Sequence, residues 1–361
     1  MREPTEPPQS EPGPRPGPHV PQPQPQPQSQ PQPRPRRRHR AVIPIVAITV
    51  ALTASGAAFA IAAHHSTQPA PRSAAGSIHG PALAPAPVSV DLGSGVTLPW
   101  PAQGQATVEV EGLGSLGTKG EQKPVPIASV TKVMTALVIL TDHPLDGDDQ
   151  GPMITVDAAA ANEASDPDQS TVRVDKGQAF SEHDLLEMLL IPSGNNIARL
   201  LARWDAGTEH AFVAKMNDTA RGLGMTDTTY TGASGYEETT RSTAVDQLKL
   251  AKKAIADPAF GRIVAMPTAT VPGLRARLVN TNALLGENGV IGMKTGSSTP
   301  AGGALMWAAR QPDATGTTRL VLGVVLDQHQ GSTSNDDLRA ALAASRTLIQ
   351  GVGQALASFN P

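Results

Sequence analysis

The longest apolar stretch of the chain comes early: residues 41–63 run for 23 positions without a charged side chain. As a helix, this stretch spans a bilayer core with slight tilt. Pro44 falls in its first turn, where a missing N–H does little harm. Beyond residue 95 the apolar positions fall into shorter periods. Ala106, Val108 and Val110 alternate with polar residues, the mark of a half-buried strand. An apolar run after Ser129 predicts a helix ending near Asp142-His143-Pro144. Residues 145–180 read as strands and loops. Ser181 with Asp184 matches a helix-start box, and Leu185, Leu186, Met188, Leu189 and Leu190 make a helix apolar on nearly every side, which predicts burial. Pro192-Ser193-Gly194-Asn195-Asn196 breaks that helix before Ile197, Leu200, Leu201 and Trp204 begin an amphipathic one. A polar turn between two buried helices marks a candidate site.

Further helices are predicted over 208–221 and 243–256, followed by a loop-rich region. Three strand-like runs come late, at 289–295, 303–309 and 319–326. The turn Pro312-Asp313-Ala314-Thr315-Gly316 makes the last two a hairpin. A closing helix over 336–356 presents Leu338, Leu342, Leu348, Ile349 and Val352 to that sheet.

Composition changes the picture mainly at the N-terminus. Residues 1–40 hold 14 of the 34 prolines and alternate Gln with Pro from 21 to 35, which predicts a disordered tail of polyproline II character. The tail carries a net charge of +4, leaving −7 for the rest of a chain whose total is −3. That balance argues against nucleic acid as a partner. Arg34, Arg36, Arg37, Arg38 and Arg40 directly precede the apolar stretch, with no comparable cluster soon after it. The expectation is a cytoplasmic tail, a membrane anchor over 41–63 and an exported C-terminal part. Cleavage after Ala58-Phe59-Ala60 and secretion is the alternative, although both the flank and the apolar run are long for a signal peptide. Residues 64–95 read as a flexible linker, His64 and His65 included, and 96–361 as the folded domain. The chain has no cysteine, which excludes disulfides, thiolate metal sites and a cysteine nucleophile. No metal site or cofactor is expected, since the nine histidines show no ligand spacing.

The candidate chemistry begins at Ser129 and Lys132. Three residues apart on a helix, they share a face. Serine needs an adjacent base to act as a nucleophile, and lysine serves if burial and cationic neighbours favour its neutral form. The helix start adds backbone N–H groups where an oxyanion would develop. Alone, such a pair also describes a helix cap followed by a surface lysine. Ser193-Gly194-Asn195 follows 64 residues later and Lys294-Thr295-Gly296 another 101 residues on. The three motifs in this order are those of penicillin-binding proteins and class A β-lactamases.

With them, the chain resembles the low-molecular-weight penicillin-binding proteins, the serine-type D-alanyl-D-alanine carboxypeptidases, over roughly residues 95–361. Asn280-Thr281-Asn282, Ala301-Gly302-Gly303, Gly232-Ala233-Ser234-Gly235 and Ser242-Thr243-Ala244 extend the resemblance, and the Pro- and Ala-rich sequence suggests an actinobacterial version. It departs from the family at Asn196, where an aspartate is frequent, and over 111–123, which lacks the usual tyrosine. No second β-rich domain is expected after the last helix. The resemblance implies an α/β (α+β) transpeptidase-like fold, an antiparallel sheet flanked by helices. It implies that Ser129 attacks the carbonyl between two terminal D-alanines of a peptidoglycan stem peptide, with Lys132 as base, kept partly neutral by the charge of Lys294. Ser193 would relay a proton to the leaving amine, and Asn195 would bond Lys132 and the substrate amide. Lys294 and Thr295 would hold the terminal carboxylate, Gly296 would leave room for a substrate strand, and the N–H groups of Ser129 and Ser297 would form the oxyanion hole. β-Lactams would acylate the same serine.

Four rivals remain at this point, one of them an esterase of the related S-x-x-K fold, which would lack the Lys294-Thr295-Gly296 match. A β-lactamase of class A type needs a deacylating glutamate, but Glu209, Glu237, Glu238 and Glu287 lack the E-x-x-x-N context. An endopeptidase would cut cross-links with the same residues. An idle wall-binding scaffold would have no use for both lysines.

Overall fold

The computed structural model describes residues 97–359. The predicted tail, anchor and linker over 1–40, 41–63 and 64–95 lie outside them. Among the described residues no helix is long and apolar enough to cross a membrane.

The chain opens with β1 (Gln105–Val110) and β2 (Gly114–Lys119), then the two-residue β3 (Val125–Pro126). A single 3-10 turn, Ala128–Thr131, leads into α1 (Lys132–Asp142). Next come β4 (Met153–Thr155), α2 (Ala158–Glu163), β5 (Ala179–Ser181), α3 (Glu182–Leu190), α4 (Asn195–Ala206) and α5 (Glu209–Gly222). They are followed by β6 (Arg241–Ser242), α6 (Ala244–Ile255), α7 (Pro258–Val264), β7 (Thr268–Ala269) and β8 (Leu278–Val279). The chain closes with β9 (Val290–Ser298), β10 (Gly302–Pro312), β11 (Thr318–Gln328) and α8 (Ser334–Ser358).

The main sheet has the order β2-β1-β11-β10-β9, with every neighbouring pair antiparallel. Both faces are covered, and the period of two along each strand sorts the side chains. Leu305, Trp307 and Ala309 pack with Val108, Val325 and the Leu348, Ile349 and Val352 face of α8. Ala304, Met306 and Ala308 point the other way, into a larger core built around α1 and α3. Helix α1 is buried from Lys132 to Leu140, so it threads the centre of the helical layer. The remaining short strands pair as β3 with β6, β4 with β5 and β7 with β8.

Caps appear where the side chains call for them. Ser181 and Asp184 form the reciprocal capping box at α3, and Thr333 with Asp336 forms another at α8. In the β10–β11 turn, the Asp313 carboxylate accepts from the N–H groups of Thr315 and Thr317 and from Arg319. The elements not anticipated are β2, α2, α7 and the two-residue strands β3, β6, β7 and β8. β2 is glycine-rich and lacks a strand pattern, whereas α2 and α7 are too short for a helical period to register. The Ser129 helix also starts later than expected. Ala128 sits at φ +45°, outside the right-handed region, so a 3-10 turn carries Ser129 and α1 begins only at Lys132.

Trp307 lies across from Gly323 in the β10–β11 ladder. A Cβ at Gly323 would come within 2.1 Å of the indole. Gly323→Val is therefore expected to destabilise the domain by about 3 kcal/mol, the upper end of the usual overpacking cost, read from urea unfolding. A loss under about 1 kcal/mol would mean that the ring has room to move.

Candidate active site

The 3-10 turn sets Ser129 at the mouth of a cavity of about 630 Å³, lined among others by Gln169, Asn195, Tyr236, Ser297 and Asn335. In a 3-10 turn residues i and i+3 eclipse, so Lys132 comes directly beneath the serine. Its Nζ lies 2.8 Å from Ser129 Oγ, 2.6 Å from Asn195 Oδ1 and 2.8 Å from the Ser234 carbonyl. Lys132 is fully buried, and its amine is held well below its ordinary range, first by that burial, then by the charges of Lys294 and Arg199. The expectation that the charge of Lys294 keeps Lys132 neutral is thus reordered: desolvation leads.

The partners fix where the protons go. Asn195 Oδ1 and the Ser234 carbonyl can only accept, so they take the two hydrogens of a neutral amine. The nitrogen lone pair is left for the hydroxyl of Ser129. A base aimed at a nucleophile needs this arrangement.

The Lys294 motif lies on the edge strand β9. The Lys294 side chain is almost wholly buried, and burial pushes its amine down to about 7. Its Nζ donates to the Thr295 carbonyl at 3.2 Å, while Thr295 Oγ1 lies 2.6 Å from Thr281 Oγ1. Gly296 is closely packed on its side-chain face. A Cβ there would lie 2.9 Å from the Ile127 carbonyl and 3.1 Å from the amide nitrogens of Ser129 and Val130. The missing side chain lets β9 lie against the 3-10 turn that carries Ser129. Ser297 follows on the cavity wall. Ser193 occupies the turn before α4 with φ +69°, and its buried Oγ has no hydrogen-bond partner among the described residues.

Several residues were missed by the sequence reading. Ser234 was quoted without a role, yet its carbonyl holds Lys132. Asn196, which departs from the family pattern, is fully buried. Its Oδ1 accepts from Val172 N–H, and its Nδ2 donates to the carbonyls of Val172 and Ala160. Aspartate could not make the last two bonds. Gln169 and Arg199 join Asn195 only through folding and carry no motif. Tyr236 is half exposed, with the Arg199 guanidinium over its ring at 5.7 Å from the centroid.

Among the described residues, one group has metal-ligand proximity, His183, Asp184 and Glu187 on α3, a pattern the histidine spacing had not suggested. Asp184 is already engaged in the capping box, and His183 pairs with Glu187 at 3.7 Å. The glutamates weighed as deacylating bases are placed differently. Glu209 accepts from Ala233 N–H, Glu237 pairs with Arg199 and Glu287 with Arg346, while Glu238 borders the cavity.

The sequence profile of peptidase family S11, the D-alanyl-D-alanine carboxypeptidases, matches residues 108–329. The chain belongs to this family. A D-alanyl-D-alanine carboxypeptidase of Mycobacterium tuberculosis is 33% identical over 231 residues, 62% of this chain and 75% of that protein. A D-alanyl-D-alanine endopeptidase of Pseudomonas aeruginosa is 32% identical over 57% of this chain and 66% of its own length. The crystal structure of the Streptomyces K15 DD-transpeptidase superposes with a TM-score of 0.62 at 28% identity, covering 72% of this chain and 100% of that one. The family is one of serine-type peptidases that act on peptidoglycan stem peptides and bind β-lactams through an acyl-enzyme.

Proposed function

We propose that this chain removes the terminal D-alanine from peptidoglycan stem peptides through an acyl-enzyme on Ser129. The observation that carries the reading is the buried Lys132 amine, 2.8 Å from Ser129 Oγ, with Asn195 Oδ1 and the Ser234 carbonyl as its other partners; in the neutral amine these two acceptors leave the lone pair for the serine hydroxyl. In this reading Lys132 takes the serine proton as Oγ attacks the penultimate carbonyl. The oxyanion is held by the N–H groups of Ser129 and Ser297. Ser193, whose Oγ has no protein partner among the described residues, passes a proton to the departing amine. Asn195 keeps one N–H free for the substrate amide. Lys294 and Thr295 take the terminal carboxylate, beside an edge strand that can accept an extended peptide. Water then releases the shortened peptide. Residues 41–63, from their length and the arginines before them, would tether the domain outside the cytoplasmic membrane.

The deciding experiment is mass spectrometry after incubation with benzylpenicillin, followed by muropeptide digestion. A stable adduct on Ser129 and release of free D-alanine support the reading. Rapid drug loss without an adduct would indicate a β-lactamase, and no reaction an idle scaffold. The similarity to a named endopeptidase gives a second reading, cleavage of cross-linked dimers, which the same digestion separates.

The carboxylate role of Lys294 predicts a pH dependence. An amine with a pKa of about 7 is charged below that pH and loses its charge above it. For a peptide substrate, kcat/KM should therefore fall as pH rises through about 7. Lys294→Ala should lower kcat/KM by about 100-fold, roughly the cost of losing a charge-assisted bond, and abolish that alkaline limb. A limb that persists in the variant belongs to another group.

A further inference from the structure

We propose that Gln169 is a positioning residue for acylation, fixing which end of the Asn195 amide faces Lys132. The inference rests on the reading of Ser129 and Lys132 as nucleophile and base. A side-chain amide has an accepting and a donating end of nearly the same shape, and only its neighbours decide between them. Asn195 turns Oδ1 to Lys132 and donates Nδ2–H to Gln169 Oε1 at 3.0 Å. Turned over, it would present N–H to the lysine. The lone pair of the neutral amine would then accept from Asn195, and Ser129 would lose its base.

Gln169 is itself an amide, but its orientation is not free. Oε1 also accepts from Arg199 Nη1 at 3.0 Å, and Nε2 donates to Asp166 Oδ2 at 2.7 Å. A guanidinium can only donate and an ionised carboxylate can only accept, so neither tolerates a flipped Gln169. Arg199 is in turn held by Glu163 at 2.9 Å and Glu237 at 3.6 Å. The order imposed by two charged groups thus passes from Gln169 to Asn195 to Lys132. The segment bearing Gln169 is also tied to the same helix start: Asn195 N–H donates to the Ser170 carbonyl at 2.8 Å, and Asn196 brackets Val172. Gln169 borders the cavity, so its removal leaves solvent-filled space.

The test is the pH profile of benzylpenicillin acylation, with thermal unfolding and peptide KM measured on the same full-length proteins. Gln169→Met keeps the bulk and removes the acceptor. Its plateau rate should fall about tenfold or more, the effect of a misaligned base, with KM and unfolding temperature little changed. The acid limb should move to lower pH, because an N–H facing Lys132 disfavours the ammonium. Simple loosening of the loop would admit water and move the limb to higher pH, toward the ordinary lysine range. Gln169→Glu combined with Asp166→Asn keeps an acceptor for Asn195 and Arg199 and a donor facing the new carboxylate, and should recover most of the plateau, although its charge raises the limb. A plateau for Gln169→Met within twofold of wild type, an upward shift of its limb, or a Gln169→Glu/Asp166→Asn variant as slow as Gln169→Met would each overturn the proposal. Gln169→Ala replaces Gln169→Met if that variant does not fold. Failure of the wild type to label at Ser129 would instead sink the nucleophile reading itself.

Discussion

Ser129→Ala is expected to abolish the covalent adduct with benzylpenicillin and to lower peptide hydrolysis by at least about 10⁴-fold, the scale seen when a serine nucleophile is removed. The reason is local. Lys132 is held by Asn195 Oδ1 and the Ser234 carbonyl whether or not Ser129 keeps its hydroxyl. The variant therefore retains the base, the cavity and the carboxylate site, and loses only the atom that forms the bond. Thermal unfolding should stay close to wild type, since Ser129 is only partly buried and, among the described residues, its Oγ makes one hydrogen bond, to Lys132. Peptide binding should survive and can be read by isothermal titration. An adduct of normal yield on the variant would place the nucleophile elsewhere; Ser193, a buried hydroxyl without a partner among the described residues, would be the next residue to replace.

The sheet and its covering helix were legible because their patterns are strong. β9, β10 and β11 read as three apolar runs, with turn chemistry after Pro312, and α8 shows a helical period over its whole length. The capping box of α3 was read from Ser181 and Asp184, whereas that of α8, from Thr333 and Asp336, was passed over and its helix start placed two residues late. β2 was not legible, since Gly114-Ser115-Leu116-Gly117-Thr118-Lys119 holds two glycines, a single β-branched residue and no clean alternation. It is a strand because β1 offers it a ladder. Tertiary context overrides propensity there.

The site was legible to the extent that it consists of motifs. Ser129, Lys132 and Asn195 come together through short sequence signals, and the hydrogen bonds among them follow. What escaped is the layer beneath. Gln169, Arg199 and the Ser234 carbonyl reach the site from three distant parts of the chain, and a backbone carbonyl leaves no trace in residue identity. Gly296 shows a different limit. Sequence marks the position as needing no side chain, but only the structure shows that the crowding comes from the amide nitrogens of Ser129 and Val130. Likewise, the order of causes at Lys132 depends on burial, which no charge count measures.

Lys132→Met separates the catalytic and energetic consequences of that burial. Methionine approximates the stem of lysine but has no proton-accepting amine, so acylation should fall by at least about 10³-fold, within the range for loss of a general base. The second consequence concerns stability. In the folded wild type the Lys132 amine is held well below 10.5, mainly by desolvation; in the unfolded chain it titrates near its ordinary value. Between the two values the unfolded state binds the extra proton, so this group makes wild-type stability rise with pH across that window, at up to about 1.4 kcal/mol per unit. The methionine variant lacks this contribution. Lys294 remains in both proteins and cancels in the comparison to the extent that its own titration is unchanged. Urea unfolding of the pair at neutral pH and again toward pH 10 should show wild type gaining on the variant as pH rises. Parallel pH dependences would mean that Lys132 is already charged in the folded protein. Ser129 would then have no base beside it at neutral pH, and a proton would have to leave Lys132 before each acylation.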